Sequence, residues 1–126
     1  MSYEISWEAH TIITTWAGNA SGDELLACVK EVHSNPCFDE LRYSLHDFTA
    51  CTDATFPTES VLLTAALDAA ASMSNSHIKV GFVADRDDIK TMVKHYIGTE
   101  MSPYPVRSFP TVKVMRDWEA RDWAEQ

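Results

Sequence analysis

The chain lacks long apolar runs, a basic surface and glycine-rich loops, and each shortage removes a class of function. No segment approaches the roughly 20 consecutive apolar residues that a membrane-spanning helix needs. The longest apolar run lies between Ala65 and Ala71, and Asp68 interrupts it. Ten Lys and Arg stand against 19 Asp and Glu, for a net charge of −9. A surface of that sign repels phosphate backbones and anionic headgroups, so nucleic acid and membrane surfaces are not expected partners. A cationic protein partner stays open, although acidity commonly serves solubility alone. The four glycines never occur as Gly-x-Gly. A Rossmann-type cofactor is therefore disfavoured, and no cofactor is expected. Cys28, Cys37 and Cys51 are odd in number and show no Cys-x-x-Cys spacing. Reduced thiols in a cytoplasm are the simplest account. The opening Met1-Ser2-Tyr3-Glu4-Ile5 has no basic region followed by an apolar one, so no secretion signal is expected.

What remains suits a globular domain. The 126 residues are 45% apolar and 23% charged, and a chain of this length hides roughly two-thirds of its unfolded surface. Nothing in the composition divides it, so one domain over 1–126 is expected. Tyr3 to Glu8 alternates with Tyr3, Ile5 and Trp7 on one side, which predicts a half-buried strand. Thr11 to Trp16 is a second such run, and only Ala9 and His10 separate the two, so they pair as an antiparallel hairpin. Gly18 and Asn19 are expected to end that strand. Ser21-Gly22-Asp23-Glu24 has the form of a capping box, followed by Leu25, Leu26, Val29 and Val32 at helical spacing. Asn35-Pro36 closes this helix. Leu41 to Phe48 reads as a third strand, with Leu41, Tyr43 and Leu45 on one face.

Thr49 to Pro57 is polar and reads as a loop. A helix is predicted over 58–73, with Val61, Leu62, Ala65, Ala69 and Met73 facing inward. Ile78 to Ala84 suits a strand covered on both faces. Asp85 is placed to cap the next helix, whose stripe is Ile89, Met92, Val93, Tyr96 and Ile97. Gly98 stands where a left-handed terminal residue belongs. Val106 to Phe109 predicts a fifth strand. Thr111 caps a last helix that buries Val114, Met115 and Trp118. Trp123 is either exposed on a fraying end or packed in a homodimer contact. The order is ββαβαβαβα: an α/β fold with a five-stranded mixed sheet, an N-terminal antiparallel hairpin and four helices.

Three segments carry a family resemblance. They are the Tyr3-Glu4-Ile5-Ser6-Trp7-Glu8 hairpin strand, Ile78-Lys79-Val80-Gly81-Phe82-Val83 behind an Ala-rich helix and Ser74-Asn75-Ser76, and Val106-Arg107-Ser108-Phe109 with Trp118 nine residues on. In this arrangement the chain resembles the SpoIIAA-like family of the STAS superfamily. The resemblance implies a small bacterial cytosolic domain of STAS-like fold. Some STAS-like proteins bind partner proteins or nucleotides, and a related fold binds lipids. Anti-sigma antagonists carry a kinase-modified serine in an Asp-Ser-Ser-Gly-like stretch after the third strand. Here the region from Asp47 to Ser60 has no such string. Thr58 and Ser60 lie near the place without the motif, so the kinase switch does not transfer.

The stretch from Asp47 to Thr58 is read as leaving a parallel strand toward a helix N-terminus, the edge where open α/β sheets bind ligands. Asp47, Thr49, Thr52, Thr58 and Ser60 are its candidate ligand or switch residues. Capping and turn formation account for the same residue types. His46 and Asp47 suggest an acid–base pair beside Cys51, but neighbouring strand residues point to opposite faces. His33, Cys37, His46 and Cys51 could be metal ligands, yet they lack paired short spacings. No metal site and no catalytic residue are assigned. Three functions follow: a non-catalytic regulatory or protein-interaction module, a small-molecule or lipid carrier or sensor, and a hydrolase using Cys51 or a histidine. The carrier's pocket is expected between the Ala-rich helix, the helix of residues 86–97 and the sheet, with Met73, Met92, Met101 and Met115 as adaptable walls.

Overall fold

A computed structural model describes residues 2–126. Strands β1 (Tyr3–Glu8) and β2 (Thr11–Ser21) form the expected hairpin. Ala9, at φ 49°, makes the tight reversal. The second strand does not stop at Gly18-Asn19. Gly18 sits at φ 70°, and its register against the next strand shifts on both sides of Ala17 and Gly18. A glycine that accepts this conformation lets the strand bulge and continue to Ser21.

The extension of β2 needs a partner, and it finds one in β3 (Tyr43–Thr55). Ala17, Gly18, Asn19, Ala20 and Ser21 pair in parallel with Ala50, Cys51, Asp53, Ala54 and Thr55. Most of the stretch expected to be a loop is therefore strand. Its threonines favour extended backbone, and its inner residues Phe48 and Cys51 are buried. Leu41 precedes β3, behind a 3-10 turn at Phe38–Glu40. It packs with residues on the face opposite Tyr43 and Leu45.

Helix α1 (Gly22–His33) starts at Ser21, whose hydroxyl accepts from Glu24 N–H at 3.3 Å. The reciprocal half of the capping box is absent. The Glu24 carboxylate accepts instead from Ser2 N–H at 2.6 Å, tying the first strand to this helix. Helix α2 (Thr58–Ala71) buries Ser60, Val61, Thr64 and Ala65. Leu62 faces outward, contrary to expectation, because the inward stripe runs 61, 64, 65, 68, and Met73 is exposed because the helix ends at Ala71 and not at 73. Strand β4 (Lys79–Val83) leads to helix α3 (Asp87–Gly98). Its N-cap is Arg86, not Asp85. Arg86 forks onto Asp88 at 3.1 and 2.9 Å, and Asp88 accepts from Ile89 N–H. Gly98 stays helical, and the left-handed residue is Glu100, at φ 56°. Ile97 is exposed at the end of the stripe.

Strand β5 (Val106–Phe109) and helix α4 (Val112–Ala124) complete the chain. Thr111 caps α4 by accepting from Val114 N–H at 3.1 Å. Met115, Trp118 and Glu119 are buried, while Val114 is exposed. Glu119 accepts from the Thr11 hydroxyl. Asp122 binds Lys79 Nζ at 2.8 Å and the Tyr43 hydroxyl at 2.5 Å. Trp123 is half-exposed but not loose, because it stacks on His10 with centroids 3.6 Å apart.

The sheet order is β1-β2-β3-β4-β5, with β1–β2 antiparallel and all other pairs parallel. The strands advance one way across the sheet. Crossovers of one hand then put every connecting helix on the same face. The larger core accordingly contains Leu25, Cys28 and Val32 of α1 and Ile89 and Val93 of α3 over Ile12, Trp16, Phe48 and Phe82. Helix α4 alone covers the other face, where Met115 and Trp118 meet Tyr43, Leu45, Val83 and Phe109.

Gly22 marks where α1 meets α2. A Cβ there would lie 2.2 Å from Ser60 Oγ and 2.9 Å from both Ser60 Cβ and Pro57 Cδ. Gly22→Ala is expected to destabilise by about 1–3 kcal/mol, the usual cost of overpacking. The readout is a lower urea midpoint at unchanged slope. Ser60→Ala in the same background should recover part of the loss, and a neutral Gly22→Ala would contradict this packing.

Candidate functional site

The residues singled out from sequence are divided between β3 and the first turn of α2. Asp47 is half-buried, and its Oδ1 accepts from Thr49 N–H at 2.9 Å and Thr49 Oγ1 at 2.5 Å. Thr49 and Thr52 are exposed on β3, and Thr58 is exposed at the first turn of α2. Ser60 is buried against Gly22. Cys51 is buried, and its thiol donates to the Asp53 carbonyl at 3.2 Å. His46 and Asp47 do point apart, as strand alternation requires.

A pocket of about 110 Å³ opens between α1, α2, α3 and the sheet. Its walls are mostly apolar: Leu25, Val29 and Val32 from α1, Val61 from α2, Met92 and Val93 from α3, and Phe48, Val80 and Phe82 from the sheet. This is where the carrier reading expected a cavity. Of the four methionines proposed as walls, only Met92 lines it. Met73 and Met101 are exposed, and Met115 packs under the opposite face of the sheet.

A charged group also lines this pocket. Asp68 Oδ1 pairs with His33 Nε2 at 3.0 Å, and Asp68 Oδ2 accepts from the Tyr96 hydroxyl at 2.5 Å. Three helices thus meet at one carboxylate. Burial raises the Tyr96 pKa, and the charge and hydrogen bond of Asp68 raise it further. Tyr104 lines the pocket too; its pKa is pushed up to about 12 by burial and by Asp68. Its hydroxyl donates to the Asn75 carbonyl at 2.7 Å. Asp68, Tyr96 and Tyr104 are not among the candidate site residues; Tyr96 enters the sequence reading only on the stripe of α3, and Asp68 only as the break in the apolar run. A signal for Asp68 existed, since it falls at i+7 from Val61 and i+3 from Ala65 on the buried stripe.

His46 forms part of the floor. The Trp16 indole donates to its Nδ1 at 3.3 Å, which fixes the ring proton on Nε2. Burial lowers its pKa from 6.5 to about 4, although the Asp68 carboxylate pulls the other way. The neutral ring keeps the pocket floor uncharged. His33 and His46 share the pocket wall, but Cys37 and Cys51 do not line it. Among the described residues, no group of three His, Cys, Asp or Glu side chains is placed to hold a metal ion.

His46 also sets a pH dependence. Its folded pKa lies below its unfolded one, so the unfolded chain binds the extra proton between them. Stability should be full above pH 6.5 and fall as pH drops toward 4. The loss attributable to this ring is about 3 kcal/mol. Urea denaturation across that range should show the decline, and His46→Gln should flatten it. An equally steep decline in the variant would remove His46 as its source.

No family model matches the chain, and no curated protein matches it. Among solved structures, the anti-sigma factor antagonist SpoIIAA in its unphosphorylated form superposes with a TM-score of 0.61 at 5% identity, covering 94% of this chain and 97% of that one. An uncharacterized protein with a SpoIIAA-like fold from Shewanella loihica PV-4 superposes with a TM-score of 0.49 at 12% identity, covering 92% of this chain and 90% of that one. Among the described residues no helix is long and apolar enough to cross a membrane. The chain has the SpoIIAA-like fold that its element order predicted.

Proposed function

We propose that this chain is a non-catalytic regulatory module whose signal is a small apolar molecule held between α1, α2, α3 and the sheet. The observation that carries this reading is the 110 Å³ pocket with mostly apolar walls and an Asp68, His33 and Tyr96 cluster among its few polar groups. Its size approaches the roughly 150 Å³ cavity known to take benzene. Asp68 with His33 and Tyr96 supplies an anchor for a single hydroxyl or amine on an otherwise apolar ligand. Pockets of this composition place few polar groups among many apolar ones. The three free cysteines suit a reducing, cytoplasmic setting. Regulation enters because the ligand would touch all three helices on this face, so filling the pocket tightens their mutual packing.

Neutral probes such as indole and phenol test this reading. A ligand that binds only the folded state stabilises it by about 2.7 kcal/mol at a hundredfold excess over Kd. A rise in Tm is expected for the wild type. Val29→Phe, which fills the pocket from α1, should abolish it. No rise with any small apolar probe, or an undiminished rise in the variant, would refute the pocket as a binding site.

A second reading, a protein-interaction module, draws on the outer face of α2. Leu62 and Leu63 are 41% and 46% exposed, and Met73 is 88% exposed. Leu62 and Leu63 follow Thr58, an exposed candidate switch residue at the first turn of α2, and Met73 lies just past its last turn. Leu62→Asp with Leu63→Asp should release a co-purifying partner without lowering Tm. Retention of that partner by the variant would set α2 aside.

A further inference from the structure

A groove on this acidic chain has, among the described residues, two lysines without a carboxylate partner on its rim. It measures about 430 Å³ and lies between α3 and the edge strand β5. Val93, Ile97, Val106 and Phe82 form its apolar floor, and Lys90 and Lys94 stand along its rim. The helical repeat explains the grouping. Positions 90, 94 and 97 share a face of α3, which turns two cations and one apolar side chain toward the same space.

Lys79, Arg86, Lys113 and Arg116 are held by carboxylates within 4 Å. Among the described residues, Lys90 and Lys94 have no such partner, although the chain holds 19 Asp and Glu. The groove runs along the free edge of the sheet, from Val106 at the start of β5 to Pro110 just after it, with Ala84 beyond the end of β4. Its volume falls in the roughly 300–1,000 Å³ range of ligand clefts.

We propose that this groove binds a free amphiphilic carboxylate, with its tail on Val93, Ile97 and Val106 and its head between Lys90 and Lys94. The Ser108 hydroxyl, on the same wall, is available to the head as a further donor. The site is separate from the pocket of the proposed function and does not depend on it. The two share Phe82, Val93 and Val106 as a common wall.

The test is a titration of the isotope-labelled full chain with decanoate, below micellar concentration and at low salt, followed by amide NMR. Saturable shifts are expected at Ala84, Lys94, Ser108 and Phe109. Lys90→Glu with Lys94→Glu should weaken binding by about tenfold or more. Arg121→Glu, on the far face of the sheet, should leave it unchanged and so separates local from net charge. Decanol should bind at least about tenfold more weakly than decanoate. Shifts confined to Leu25 and Thr64 would place decanoate in the apolar pocket and overturn the groove site. So would equal affinity for decanol, or no saturable shift at all.

Discussion

Strands β2, β3, β4 and β5 lie side by side in chain order and run parallel, and this one arrangement governs the rest of the molecule. Each parallel step needs a crossover, and crossovers of one hand stack on one face. Three helices therefore crowd one side of the sheet while α4 serves the other alone. Three cylinders over a twisted surface do not fill all the space beneath them. The pocket sits where α1, α2 and α3 come together, and its existence follows from the topology as much as from the side chains.

The same arrangement explains the chemistry of the pocket corner. Asp68 lies on the buried stripe of an otherwise small-residue helix. A carboxylate there needs partners, because an unpaired buried charge is costly. His33 from α1 and Tyr96 from α3 provide them. The cluster holds the three helices together through one residue and places a charged group in a mostly apolar recess. On the other face Glu119 and Asp122 do related work, joining α4 to Thr11, Tyr43 and Lys79. Polar contacts between distant elements thus recur wherever a helix carries an acid toward the sheet.

Much of the fold was legible because period-two and helical spacing are local signals. The hairpin, Val106 to Phe109 and the Thr111 cap follow from residues within a few positions of each other. In the longest misread stretch, a long-range contact overruled local composition. Thr49 to Thr55 looked like a loop by its polarity, yet backbone pairing with the bulged end of β2 makes it strand. Leu62, Met73 and Val114 looked like core by hydropathy. The helices instead turned Thr64, Asp68 and Glu119 inward, where each has a hydrogen-bonding partner. Of the candidate residues Asp47, Thr49, Thr52, Thr58 and Ser60, Asp47 and Thr49 bond each other on β3, whereas Thr58 and Ser60 belong to α2 and Ser60 is buried.

By itself, the amino-acid order determined the element sequence, the antiparallel opening and the overall acidity, since each depends on nearest neighbours or on composition. Tertiary structure alone decided that Asp68, His33 and Tyr96 would share one corner and that Lys90 and Lys94 would flank an open strand edge. The physical reason is that a site is a coincidence of side chains from separate elements. Sheet order and helix rotation create that coincidence, and both are settled by the packing of the whole chain.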